Sequence, residues 1–262
     1  MSIRGVGKVF RVRDAERPFT ALDGVDLDVR DGEFLTLVGP SGCGKSTLLD
    51  LVAGLTPPTS GEILLDGAPV TGPGLDRGIV FQQYALFPWR TALGNVAFGL
   101  EAKSVPRRER EDRARHYLDL VGLNGFERRY PHELSGGMRQ RVAIARSLAF
   151  DPDVLLMDEP FAALDAQTRE SLQEELRGIW DKTGKTIVFI THGIDEAVYL
   201  GQRVAVMTSR PGRIKQVIDV EFDSRAGDLR ADPGFGEYRH RLWKLLRDEV
   251  AAARAQEVAS VG

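Results

Sequence analysis

The chain is short of cysteine, of long apolar runs and of surplus charge of either sign, and each shortage removes a class of protein. A single cysteine, Cys43, in 262 residues cannot form an internal disulfide or a cysteine-based zinc site by itself, which fits a reducing compartment. The longest apolar stretches, such as Val154 to Met157 and Ile187 to Ile190, fall far short of the roughly 20 residues that span a bilayer. Any link to a membrane is therefore expected to run through a partner. Residues Met1 to Phe10 interleave apolar side chains with Arg4 and Lys8 and lack the apolar stretch and cleavage site of a secretory signal, so a cytoplasmic location is expected. With 35 Lys and Arg against 38 Asp and Glu the net charge is −3. No basic tail supplies the clustered cations that nucleic-acid binding requires, and no nucleic-acid partner is expected.

What is present has the balance of an ordinary folded chain, 42% hydrophobic and 28% charged, long enough for one to two domains. The first quarter reads as strands and turns: Leu22 to Val29 alternates, Glu33 to Val38 runs apolar into a glycine cluster, and Glu62 to Leu65 enters a hairpin at Asp66-Gly67. A helical pattern covers Ser46 to Ala53, ended by Pro57, Pro58 and Gly61. Helices are expected between Val96 and Leu123, where the charge run Arg107 to Arg115 mixes both signs and reads as a solvated face. After Arg139 a helix runs to about Ala149, then Val154 to Met157 is a strand, Thr168 to Trp180 a helix and Thr186 to Thr191 a strand. That alternation predicts an α/β fold, a mixed sheet with antiparallel N-terminal strands and an inserted α-helical subdomain at about residues 90–145. Tyr238, Leu242, Leu245, Leu246 and Val250 recur at helical spacing, so Glu237 to Ala253 is expected to form an amphipathic helix, with Asp223 to Gly236 as a linker.

Three motifs carry chemistry. Gly39-Pro40-Ser41-Gly42-Cys43-Gly44-Lys45-Ser46 sits between an expected strand and an expected helix, the context that makes this pattern a phosphate-binding loop. Its glycines let backbone N–H groups converge on phosphate oxygens, Lys45 reaches the β and γ phosphates, and Ser46 offers a hydroxyl to Mg2+. Val154 to Asp158-Glu159 is an apolar strand ending in two carboxylates; Asp158 suits the metal shell and Glu159 can polarise an attacking water. In Leu134 to Arg141, Ser135 caps a helix whose first residues, Gly136 and Gly137, leave backbone N–H groups bare. One ATP has one γ-phosphate, so two anion sites in one chain suggest a head-to-tail pair in which each copy lends this helix end to the other.

In this order, the motifs resemble those of the ATP-binding cassette family over Val6 to about Arg213. The resemblance implies that Gly39 to Thr47 is the Walker A loop, Gln82 the Q-loop glutamine that senses Mg2+ and the permease, and Leu134 to Gln140 the signature. It further implies Walker B at Asp158 and Glu159, the D-loop at Ala163 to Asp165, and the switch histidine at His192. Phe10 is the candidate to stack on adenine, with Phe19 nearby as the competing reading. Gly193 stands where the family commonly has Asp, which is expected to loosen the turn at His192, and Ala162 stands where Gly or Ser is common. The segment Gly72 to Gly78, Val80 to Gln82, Leu86 to Arg90 and Asn95-Val96 resembles the nitrate, sulfonate and taurine importer branch. Phe87, Pro88 and Trp89 form a stiff apolar segment suited either to a permease helix or to core packing.

The resemblance thus implies an ATPase that binds ATP and Mg2+, works as a homodimer, and docks on a permease fed by a secreted binding protein. Its place is the cytoplasmic face of the membrane, with residues 1–222 as nucleotide-binding domain and 223–262 as linker and C-terminal helix. A chromosome-maintenance ATPase is disfavoured because no heptad arms lie between Lys45 and Ser135, and a translation-factor cassette because only one set of motifs is present.

Overall fold

A computed structural model describes residues 1–11, 18–222 and 229–261, with side chains through Gln256. The chain forms two compact units, one of Met1–Pro73 with Val188–Gly262 and one of Gly74–Ile187.

The first unit opens with β1 (Ser2–Phe10) and β2 (Phe19–Asp28), continues through β3 (Phe34–Val38) and α1 (Lys45–Val52), and reaches a hairpin of β4 (Ser60–Leu65) and β5 (Ala68–Pro69). Strands β2-β1-β4-β5 make an antiparallel sheet, in which Phe10 lies opposite Phe19. The hairpin is the expected one: Asp66 and Gly67 both take positive φ, 49° and 78°, the geometry a two-residue turn between twisted strands needs. Every side chain of β3 is buried, the burial of a strand covered on both faces. Its single polar residue, Thr36, is satisfied by donating to the carbonyls of Ala197 and Arg203.

In the second unit β6 (Arg77–Val80) pairs in parallel with a later strand β7 (Val154–Asp158), from Arg77 opposite Val154 to Val80 opposite Met157. Between them lie α2 (Ala92–Val96), α3 (Phe98–Ala102), α4 (Arg107–Leu120) and α5 (Gly136–Ala149), and α6 (Ala166–Thr183) follows β7. Val96, Leu100, Leu118, Val142 and Ile144 are fully or nearly fully buried and form the helical core. The charge run is the solvated face expected of it: Arg107 with Glu111, Glu109 with Arg113, and Glu111 with Arg115 pair one turn apart. Only Ala114 and Leu118 of α4 are buried.

The chain returns to the first unit through β8 (Thr186–Ile190), followed by α7 (Ile194–Leu200), β9 (Arg203–Met207), β10 (Ile214–Asp219) and α8 (Pro233–Val261). There β9 runs parallel to β3, from Leu35 opposite Arg203 to Val38 opposite Val206, and antiparallel to β10, so the sheet is mixed as expected. The C-terminal segment differs from expectation. Helix α8 begins at Pro233 and ends at Val261, whereas residues 233–236 were expected in a linker; residues 223–228 of that linker lie outside the described residues. Proline is favoured in a first helical turn, where no intrahelical donor is required, so Pro233 starts the helix that it would interrupt elsewhere. Helix α8 packs against α7 and belongs to the first unit, with Phe235, Leu242 and Leu246 buried.

Candidate functional site

In the first unit, the buried strand β3 delivers the chain at Val38 into the glycine-rich loop, and α1 begins at Lys45. Gly44 caps this helix with φ of 104°, and a Cβ there would stand 2.7 Å from Leu22 Cδ2 and 3.1 Å from Ala21 O, so only glycine fits. No side chain caps α1 and no carboxylate lies in its first turn, which leaves the positive helix end to an incoming anion. Lys45 is only 6% exposed, and its ammonium donates to Gly39 O at 2.9 Å and Pro40 O at 3.1 Å. A buried cation is thus held by the loop's own carbonyls, where phosphate oxygens can replace them. Ser41, Gly42 and Ser46 are exposed, and Thr47 is half-buried. Cys43 is buried, which raises its thiol pKa against the lowering effect of Lys45 and keeps the group protonated.

His192 is exposed just after β8 and lines, with Gly39, Pro40 and Ser41, a cavity of about 660 Å3 that Trp243 and Arg247 of α8 also border. The turn at Gly193 is closed despite the missing aspartate. Thr191 Oγ1 accepts from the Gly193 N–H at 2.9 Å and donates to the Glu196 carboxylate one helical turn on. Glu196 thus anchors, through Thr191, the turn that Gly193 was expected to loosen. Phe10 is exposed at 38%, 6.4 Å from Phe19 between ring centres, with Lys8 Nζ 5.2 Å from its ring centre.

In the second unit, Asp158 and Glu159 emerge half-buried from the end of β7. Glu159 has φ of 44°, a left-handed conformation that costs a non-glycine residue energy and clusters at functional positions. Gln82 is exposed in the loop after β6. Ser135 caps α5 by accepting from the Met138 N–H at 3.3 Å, as expected. The two glycines that follow also have a packing role: a Cβ at Gly137 would come within 2.8 Å of Thr168 Cγ2 on α6, and one at Gly136 within 3.2 Å of the Tyr84 hydroxyl. Gln140, expected to contact nucleotide, is fully buried inside this unit, and neither amide atom has a hydrogen-bond partner among the described residues. Asp165 caps α6, accepting from the Thr168 N–H at 3.0 Å, and that bond lowers its pKa.

The segment after Gln82 is shaped by two residues to which the sequence reading gave no role of their own. Fully buried Asn95 accepts from Phe87 N–H and donates to the carbonyls of Phe87, Arg90 and Thr91. Arg146 of α5 donates to Ala85 O at 2.6 Å and Tyr84 O at 3.1 Å. Between them they display a ring cluster in which Phe87 lies 4.6 Å from Phe98 and 5.6 Å from Trp89. Trp89 is 72% exposed, which decides against core packing for it. The signal for Asn95 was an amide at an apolar helix position.

The sequence of residues 22–162 matches the family model described as ABC transporter. The chain is 59% identical over 230 residues to an uncharacterized ABC transporter ATP-binding protein of Methanocaldococcus jannaschii, covering 88% of this chain and 85% of the relative. It is 51% identical to a taurine import ATP-binding protein of Rhizobium johnstonii, over 88% of this chain and 90% of that one. A nitrate import ATP-binding protein of Synechocystis is also 51% identical, over 87% and 88%. Among solved structures, a dimeric ATP-binding cassette in a post-hydrolysis state with ADP and Pi superposes with a TM-score of 0.74 at 35% identity, over 84% of this chain and 99% of that one.

Proposed function

The chain belongs to the ABC transporter family as the ATP-hydrolysing subunit of an importer, and we propose that it drives uptake of nitrate, an alkanesulfonate or a taurine-like solute through a separate membrane permease. The observation that carries the ATPase reading is the preformed loop at Gly39–Thr47, with an uncapped helix end and a buried Lys45 resting on replaceable carbonyls. In this reading Gly39, Pro40, Ser41, Gly42, Cys43 and Gly44 surround the phosphates with backbone, Lys45 exchanges its carbonyl partners for phosphate oxygens, and Thr47 lies at the α-phosphate end. Phe10 stacks on adenine. Glu159 acts as general base toward the attacking water, Gln82 helps to orient that water, and His192 holds the γ-phosphate geometry.

Ser46, Gln82 and Asp158 supply hard oxygen donors of the kind that Mg2+ takes. Among the described residues no group of three or more His, Cys, Asp or Glu could hold a metal alone, which fits an ion that relies on phosphate oxygens and water. When bound, Mg2+ offsets the phosphate charge that these residues face.

We further propose a head-to-tail homodimer in which Ser135, Gly136 and Gly137 of one copy face the γ-phosphate of the other, with Asp165 beside them. The dimeric cassette with ADP and Pi supports this arrangement. Gln140 would then act from inside the second unit, beneath the helix end. The exposed Phe87, Trp89 and Phe98 cluster supports docking on a permease at the cytoplasmic face, and that permease would receive cargo from a secreted binding protein.

Glu159→Gln is expected to bind ATP as the wild type does and to lose turnover by about 10²–10⁴-fold, the scale of a general base. Undiminished hydrolysis in that variant would remove the mechanism. Proteoliposomes carrying the cognate permease and binding protein should take up one of the three solutes only with ATP inside; indifference to all three would refute the cargo assignment.

A further inference from the structure

Residues 208–213, between β9 and β10, lie against the phosphate loop and are held from their other side by α8, all within the first unit. On the loop side, Arg210 Nη2 donates to Gly42 O at 3.2 Å, and its guanidinium lies 4.3 Å from the Phe19 ring centre. Gly212 approaches so closely that a Cβ there would meet Cys43 O at 2.0 Å. Its N–H donates to Ala21 O at 2.8 Å, and its carbonyl accepts from Asp23 N–H at 3.1 Å. On the helix side, the Glu249 carboxylate accepts from Ser209 N–H at 2.8 Å and from Lys215 Nζ at 2.7 Å. Burial alone would raise the Glu249 pKa, but these two donors hold it below the usual carboxylate range, so the clamp is charged at neutral pH. Gln256 Nε2 donates to Arg210 O at 2.9 Å.

The peptide joining Gly42 and Cys43 is thereby fixed at both ends. Arg210 takes its carbonyl, and its N–H donates to Pro40 O at 3.3 Å. A glycine-rich loop loses more backbone freedom on ordering than any other segment, so a side chain that holds one of its peptides beforehand lowers the cost of binding phosphate.

We propose that Arg210 is a positioning residue for nucleotide binding, and that α8 keeps it in place through Glu249 and Gln256. The C-terminal helix is then part of the nucleotide machinery, and its release from residues 209–210 weakens ATP binding without touching the hydrolytic groups. This inference rests on the reading of Gly39–Thr47 as the nucleotide loop.

The test is calorimetric titration of MgATP into the purified full chain, with steady-state ATPase and amide hydrogen exchange at residues 39–44 measured alongside. Arg210→Ala should weaken ATP and raise KM by about three- to tenfold, the scale of one hydrogen bond, with kcat little changed. Arg210→Lys should recover part of the loss. Glu249→Ala combined with Gln256→Ala should move affinity and loop exchange in the same direction, while Lys244→Ala, on an exposed position of α8, should change neither. Wild-type affinity and loop exchange in folded Arg210→Ala, or in the double variant, would overturn the proposal. Lys45→Ala separates the two readings: if it binds ATP normally the nucleotide-loop assignment fails, and if it fails to bind while Arg210→Ala binds normally only the present inference fails.

Discussion

At Glu159 a strained backbone meets the proposed general base. Its left-handed backbone costs about 1–2 kcal/mol in a residue with a Cβ. Glu159→Gly should therefore unfold less easily than Glu159→Ala in a denaturant titration, by up to about 1 kcal/mol after the entropy that glycine loses, while ATP turnover disappears in both. A glycine variant less stable than the alanine variant would mean that the backbone there is not strained. Gly44 is the converse case: Gly44→Ala places a methyl against Leu22 and Ala21 and should cost about 1–3 kcal/mol in the same titration, and abolish ATP binding. At this scale the sequence was most legible where a motif fixes both residue and backbone, as at Gly44, Lys45 and Ser135. It was least legible where a polar side chain works by satisfying backbone at a distance. Asn95, Arg146 and the Thr191–Glu196 pair look like ordinary helix and strand residues until the carbonyls and N–H groups they meet are known.

At the scale of elements, Asp165 serves as a cap for α6 whatever else it does. Asp165→Asn should keep the stability of the protein, because asparagine caps equally well, whereas Asp165→Ala should lose about 1 kcal/mol by thermal or chemical unfolding. If only the charge matters to catalysis, the two variants should lose ATPase activity alike. A second element-scale tether joins the turn after α5 to the start of β8, where Lys185 Nζ lies 2.6 Å from Asp151 Oδ1. That bond depresses the Asp151 pKa, so its contribution is fully present above the ordinary carboxylate pKa and is lost as pH falls through the lowered folded value. Unfolding midpoints followed from pH 6 down to pH 3 should fall less steeply in Lys185→Met than in the wild type. The elements that escaped the sequence reading include β6, α7, β9 and β10. Helix α7 is a single short stretch, and Arg203–Met207 and Ile214–Asp219 are brief runs whose strand character comes from partners far away in the chain rather than from a local pattern. The hairpin at Asp66-Gly67 and the alternating helices and strands from Gly136 to Ile190 declared themselves because turn residues and apolar periodicity agreed there.

For the molecule as a whole, the proposed head-to-tail dimer rests on arithmetic between two anion sites and one terminal phosphate. Glu159→Gln with MgATP should sediment as a dimer and return to monomer when ATP is removed. A variant that stays monomeric with saturating ATP would break the paired-site reading. The fold class was legible from alternation alone. The apolar stripe legible at helical spacing in residues 237–253 is what makes α8 part of the first unit, where Leu242 and Leu246 are buried.

The second unit occupies one uninterrupted stretch, entered at Gly74 and left at Ile187. That continuity makes it transplantable. A graft from the taurine or nitrate relative needs only two splice points, and it would carry the exposed ring cluster and α5 as one block, leaving the phosphate loop, His192 and the terminal helix native. Hybrids of this kind ask whether the block selects the permease while the phosphate loop and His192 remain the host's.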